Sequence, residues 1–207
     1  MSLKLPDTTL VLASQSPYKR KLLSRLVGDF VTDPSGVDES PLAGESPPDQ
    51  AARLAEAKAR EVAPRHAGAW VIGADQLAEL DGHAVGKQPT AAQARSTLMS
   101  FSGRELNFHT AVCVLDPGGD AQAHTDLTVA RFRTLERAQV ERYLALDSPY
   151  DCTAAFRAEG AGPLLLEALE TADPTAIVGL PLIWLASVLP LNAPESVPLF
   201  ADGTAGD

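Results

Sequence analysis

Apolar positions begin to pattern at Thr8–Ala13 (TTLVLA), a run of strand length. Ser14 and Ser16 follow, both able to cap a helix, and Pro17 fits a first helical position, where its missing N–H leaves nothing unpaired. Leu22, Leu23, Leu26 and Val27 then recur at helical spacing and predict a buried stripe. Periodicity stops over DPSGVDESPLAGESPP (33–48), where Pro, Ser, Gly and acids predict a long loop, of a length uncommon without a function. It resumes in PDQAARLAEAKAREVA (48–63), a helix with Ala51, Leu54, Ala55 and Val62 on one side. Lys58 falls on or beside that stripe. Its stem could lie on apolar surface with the head in water, or its ammonium could point into a cleft.

WVIGADQLAEL (70–80) and HAVGK (83–87) flank Asp81-Gly82, a two-residue hairpin signal. An ordinary register pairs Leu80 with His83, Ala78 with Val85 and Gln76 with Lys87, bringing Lys87 beside Asp75. Residues 90–103 predict a helix ending at a glycine, 107–115 and 123–132 antiparallel strands, 135–146 a helix, and PLIWLASVL (181–189) a short buried helix. There is no internal repeat, and strands and helices alternate without strict βαβ order. The expected fold class is α/β, with a mixed, largely antiparallel sheet flanked by helices, in one domain over 1–191. The proline-rich acidic stretch 192–207 is expected to be a flexible tail.

The formal net charge of −10 over 207 residues argues against a sequence-independent grip on nucleic acid, which needs a broad positive surface. No stretch is apolar for the length a bilayer requires, so no membrane partner is expected, and a cytoplasmic location is the default. Cys113 and Cys152 make no disulfide framework, and the four histidines are scattered.

Against that acidic background the cations of LASQSPYKRKLL (12–23) stand out. A helix N-terminus attracts phosphate, and hydroxyls from Ser14 and Ser16 with cations from Lys19 and Arg20 would complete such a site, Arg20 turned inward and Lys21 outward. The glycines of a P-loop are absent. Asp75 comes straight after a buried apolar strand, where it could act as general base, hold a divalent ion, or simply cap a turn. SPYDCTAAFRAEGAG (148–162) reads as a close-approach loop rather than core; Glu159 within it, and Glu39 in VDES (37–40), are each a candidate ligand or an ordinary loop acid.

In order, LASQSP…R…LL (12–23), VDE (37–39), LAEAKA (54–59), IGADQ (72–76), GK (86–87), FSG…T (101–110), the 151–162 loop and VGLP (178–181) resemble the Maf family of nucleotide pyrophosphatases. The resemblance runs from about Leu10 to Leu189. It implies two lobes around a nucleotide-binding cleft, a homodimer, a divalent cation (Mg2+, Mn2+ or Co2+), and hydrolysis of a nucleoside triphosphate to monophosphate and pyrophosphate. Asp75 matches the family's proton acceptor; Ser14, Arg20, Lys58 and Lys87 match its phosphate-binding positions. Glu39 and Asp75 are the candidate metal ligands.

Tyr18, Gln76 and Glu159 bear on the base. An aromatic after Ser-Pro and a Glu at 159 look like the family's 7-methyl-GTP branch, whereas Arg and Gln there go with dTTP and UTP. Methylation at N7 makes guanine cationic, and an aromatic face then gains about 0.5–2 kcal/mol of cation–π attraction. A carboxylate can accept from guanine N1–H and the 2-amino group together. Gln76 would assist orientation. Tyr18 stands where the branch more often has Trp, Lys19 where Arg is common, and GKQP carries one residue more than the usual GKP. The alternatives are a dTTP/UTP or broad non-standard nucleotide pyrophosphatase, and a nucleotide-binding regulator of cell division.

Overall fold

The computed structural model describes residues 8–190; the expected tail at 192–207 lies outside them. A single mixed sheet of seven strands forms the body. In chain order these are β1 (Leu10–Leu12), β2 (Val31–Thr32), β3 (Trp70–Leu80), β4 (His83–Val85), β5 (Glu105–Leu115), β6 (Ala121–Phe132) and β7 (Leu166–Thr171). The helices are α1 (Pro17–Leu23), α2 (Pro47–Val62), α3 (Ala91–Ser100), α4 (Arg137–Asp147) and α5 (Leu182–Val188). The sheet runs β2-β1-β3-β5-β6-β7, with β4 also on β3. β1 is parallel to β2 and β3, and every other pairing is antiparallel. The expected mixed, largely antiparallel sheet flanked by helices is therefore what the chain forms.

The period-2 alternation of β1 and β3 sorts the core into two layers. Val11, Val71, Ala111 and Cys113 face Ala51, Ala55, Ala59 and Val62 of α2. Leu10, Leu12, Ile72, Val112 and Val114 face the opposite way, onto Leu22 and Leu23 of α1 and Leu182 and Leu185 of α5. A second cluster on that same side lies toward the other end of the sheet, where Phe101, Phe108, Phe132 and Phe156 pack with Val140, Tyr143 and Leu144 of α4. The alanine stripe of α2 lets it approach β3 very closely. A Cβ on Gly73 would sit 2.1 Å from the Ala55 carbonyl oxygen and 2.6 Å from the Ala59 nitrogen.

Local signals hold where they are short-range. Ser16 caps α1, its Oγ accepting from Lys19 N at 3.4 Å, and Pro17 takes the first helical position. Ser14 does not cap the helix; its Oγ accepts from Ser16 N–H, one step earlier. The 33–46 stretch is a long loop. β3 does not end at Asp75 but continues to Leu80, so the aspartate lies mid-strand, opposite Ala111. The hairpin pairs Leu80 with His83 and Ala78 with Val85 as expected, but β4 stops there. Lys87 bridges Thr153 instead of Gln76, because the chain leaves β3 at Gly86 to meet the 151–156 segment. That segment is not only loop: Ala154, Ala155 and Phe156 are core. α5 is buried on one side only, with Ile183 exposed. β2 and β7 carried no sequence expectation.

Candidate active site

One edge of β3 explains where the site is. β1 pairs along it as far as Ile72, and β4 takes it up again at Ala78. Among the described residues no strand pairs with Gly73–Leu77 on that side. The gap opens into a cleft of about 500 Å³ lined by the β1–α1 turn, α2, β3, the 151–159 segment and Ile177–Gly179.

Asp75 projects from the gap toward α2. Its Oδ1 accepts from Lys58 Nζ at 2.6 Å, and Glu39 Oε1 lies 2.5 Å from the same ammonium. Lys58 is thus the inward-pointing lysine of the two readings. Burial opposes its charge, but the Asp75 and Glu39 carboxylates outweigh that and hold its pKa above the ordinary lysine value. Burial likewise works against the Glu39 charge, and Lys58, with Lys87 and Lys19 beyond it, still holds that carboxyl below the usual glutamate range. The loop bearing Glu39 is fixed by Gln50, whose Nε2 donates to the Glu39 carbonyl at 3.0 Å.

Lys19 enters the gap from α1, and its Nζ donates at 2.6 Å to the Ala74 carbonyl, a backbone acceptor that no strand serves. Burial pushes its pKa down to about 8; Asp75 pulls the other way, and Lys58 and Lys87 add to the lowering. Lys87 lines the opposite wall. Arg20, expected to turn inward, is exposed and lines with Thr32 a depression of about 160 Å³ that shares its Ser14–Pro17 wall with the cleft. On a seven-residue helix the neighbour of an inward Lys19 points elsewhere. Lys21 is exposed, as expected.

At the other end of the cleft, Gln76 Nε2 lies 3.0 Å from Thr110 Oγ1 and from the Ala176 and Ile177 carbonyls. With the NH2 group so committed, Oε1 is left as the acceptor for a ligand. Glu159 lines the cleft with its side chain exposed. Tyr18 lines it too; its hydroxyl donates to Asp151 Oδ2 at 3.1 Å and accepts from Arg157 Nη2 at 2.7 Å. Thr110, Asp151 and Arg157 as partners of these side chains went unforeseen. Sequence separations of 34, 133 and 139 residues leave no local signal that could have found them.

Glu39 and Asp75 converge on one cation, the Lys58 ammonium. Two carboxylates suit a divalent ion that draws its remaining ligands from water and substrate phosphates, as Mg2+ commonly does. Among the described residues no cluster of three or more His, Cys, Asp or Glu makes a protein-only cage. The donor set fits a shared metal, not a closed structural one.

Lys19, Lys58 and Lys87, gathered around Asp75 and Glu39 in a cleft of a mixed α/β sheet, define a protein built to receive and act on a polyanion. The Maf-like protein family model matches residues 9–191, and the chain belongs to that family. It is 51% identical over 180 residues to a 7-methyl-GTP pyrophosphatase of Xanthomonas oryzae pv. oryzae, covering 87% of this chain and 94% of that one. Proteins of the same name from Cupriavidus metallidurans (48% over 181 residues, 87% and 91% covered) and Burkholderia orbicola (45% over 212 residues, 98% and 99% covered) are also similar. Among solved structures, the Ham1 protein of Staphylococcus aureus overlaps 61% of this chain and 73% of its own at 16% identity, with a TM-score of 0.44. No helix among the described residues is long and apolar enough to cross a membrane.

Proposed function

We propose that this chain hydrolyses 7-methyl-GTP to 7-methyl-GMP and pyrophosphate. The observation that carries the chemistry is the Lys58 ammonium held between Asp75 and Glu39, in a cleft that Lys19 and Lys87 also line. The relatives' shared name and extensive identity support the substrate.

On arrival of the triphosphate, its oxygens compete with the two carboxylates for Lys58. Asp75 is then free to accept a proton from the water that attacks the α-phosphorus. A new P–O bond forms, the bond from the α-phosphorus to the bridging oxygen breaks, and pyrophosphate leaves with the electron pair. Lys58, Lys87 and Lys19 stabilise the charge that builds on the leaving and nonbridging oxygens. Ser14 and Ser16 shape the phosphate end, where the sequence also assigns Arg20. A divalent cation held by Glu39 and Asp75 would supply Lewis-acid neutralisation of phosphate charge. Glu159 and Gln76 Oε1 offer acceptors to the N1–H and 2-amino donors of the base, and Tyr18 its ring. A homodimer, resting on the family resemblance, and a cytoplasmic location, the default for a sequence with no apolar stretch of bilayer length, complete the proposal.

The test is pyrophosphate release by the purified chain from 7-methyl-GTP, GTP, dTTP and UTP, each with Mg2+, Mn2+ or Co2+. Preference for 7-methyl-GTP is expected, and Glu159→Gln should erode it. No turnover of 7-methyl-GTP with any metal would overturn the reading.

A further inference from the structure

Tyr18 sits on α1, while Glu159 belongs to the segment that follows α4. Arg157 joins the two. Its Nη2 donates to the Tyr18 hydroxyl at 2.7 Å, its Nη1 donates to the Asp147 carbonyl at the end of α4 at 2.8 Å, and its Cζ lies 5.6 Å from the Tyr18 ring centroid. Asp151 accepts from the same hydroxyl at 3.1 Å.

The base of this strut is rigid. Arg157 N donates at 2.9 Å to the hydroxyl of Tyr143, which is buried and itself donates to the Ala155 carbonyl at 3.1 Å. Ala154 and Ala155 both hold left-handed backbone, at φ 55° and 53°, conformations that L residues keep only when their surroundings enforce them. A Cβ on Gly162 would stand 2.2 Å from the Arg157 carbonyl oxygen, so the segment folds back tightly on itself. A half-exposed tyrosine would otherwise have χ1 and χ2 free. Here its hydroxyl is held between the Arg157 guanidinium and the Asp151 carboxylate, with the Cys152 thiol donating to it more weakly at 3.8 Å.

We infer that Arg157 is a positioning residue for base recognition: by gripping the Tyr18 hydroxyl it fixes the ring plane, and its spacing from Glu159, before the base arrives. This rests on the base-recognition role of Tyr18 proposed above. A fixed ring spares the ligand the cost of ordering it, so the effect falls on binding. Asp75 and Lys58 lie at the phosphate end, so the chemical step is spared. A tyrosine at this position, unlike a tryptophan, has a terminal hydroxyl that such a tether can hold.

The experiment is a double-mutant cycle of Arg157→Gln and Tyr18→Phe, with steady-state kinetics on 7-methyl-GTP and thermal melts to confirm folding. Each single variant is expected to raise KM about tenfold with kcat within about twofold, and the double variant to be no worse than the poorer single. Arg157→Lys, which cannot serve the Tyr18 hydroxyl and the Asp147 carbonyl together, should recover part of the loss; it also serves if Arg157→Gln folds poorly. Additive effects, a fall in kcat at unchanged KM, or wild-type KM in either single variant would overturn the inference. Absence of wild-type turnover would strike the proposed function instead; the same cycle is then read as 7-methyl-GTP affinity by calorimetry, with the same expectations. Wild-type turnover with an insensitive Arg157→Gln would strike this inference alone.

Discussion

Gly73→Ala probes whether packing, rather than hydrogen bonding, sets the separation of Lys58 and Asp75. The new Cβ would lie 2.1 Å from the Ala55 carbonyl oxygen, 2.6 Å from Ala59 N and 3.0 Å from Ala59 Cβ. Two of these obstacles are helix backbone, which cannot rotate aside. To regain van der Waals distance α2 must retreat from β3 by on the order of 1 Å. Overpacking of this kind costs about 1–3 kcal/mol, and in a chain of this size each kcal/mol lowers Tm by about 2–4 °C. The same retreat carries Lys58, three residues beyond Ala55, away from Asp75, two residues beyond Gly73 on the strand. A misplacement of about 1 Å at reacting groups can cost about a hundredfold in rate. The assay is pyrophosphate release beside a thermal melt. A Tm lower by about 2–12 °C with kcat down about a hundredfold is expected. A variant that melts early yet keeps full kcat would refute the link between helix packing and the ion pair. One that changes neither would refute the close approach itself.

Asp75→Asn should lower kcat by about 10²–10⁴, the usual worth of a general base, while the melt shows a folded protein; near-normal kcat would place the base elsewhere. Lys19, with its pKa lowered to about 8, is charged below that pH and loses its proton above it. KM for the triphosphate should therefore rise as pH passes about 8, and this rise should be absent in Lys19→Arg. Since burial lowers the folded pKa below the ordinary lysine value, the unfolded chain binds more protons between about pH 8 and 10.5, and the Lys19 contribution makes the fold more stable as pH rises through that window. Asp173 is buried and its carboxylate accepts from Thr175 N, Thr175 Oγ1 and Ile183 N at 2.8, 2.6 and 2.7 Å. Asp173→Ala strands the two backbone donors, while the Thr175 hydroxyl keeps the Leu180 carbonyl at 2.9 Å, and should cost about 3 kcal/mol in urea unfolding; because the same turn supplies the carbonyls that hold Gln76, preference among bases should weaken with it.

Much of this was legible along the chain. Period-2 and helical patterning placed β1, α1, α2, β5 and β6, because each buries one face and so repeats at its own period. Lys58 stood out as a cation interrupting an apolar stripe. What stayed hidden depends on where strands stop pairing. Nothing in WVIGADQLAEL says that β1 serves its first three residues and β4 its last three, with a gap at Asp75. The exit of the chain at Gly86 depends on Thr153, and the posture of Tyr18 on Arg157, partners supplied only by the tertiary fold. Arg20 and Lys19 look alike in sequence; the rotation of about 100° between successive helical residues sends one out and the other in. β7 escaped notice because LEALET mixes acids with leucines on an edge strand that is only partly buried.

The unpaired stretch of β3 has a consequence outside chemistry. Free backbone groups on a strand edge are a template for another chain to add to, and proteins commonly guard such edges with a lysine. Lys19 does this at Ala74, and the segment around Thr153 closes the far side. The pocket is therefore also a protected seam. Replacing Lys19 with a short apolar residue exposes that seam, so the first sign of its loss would be self-association in concentrated solution, before any substrate is added.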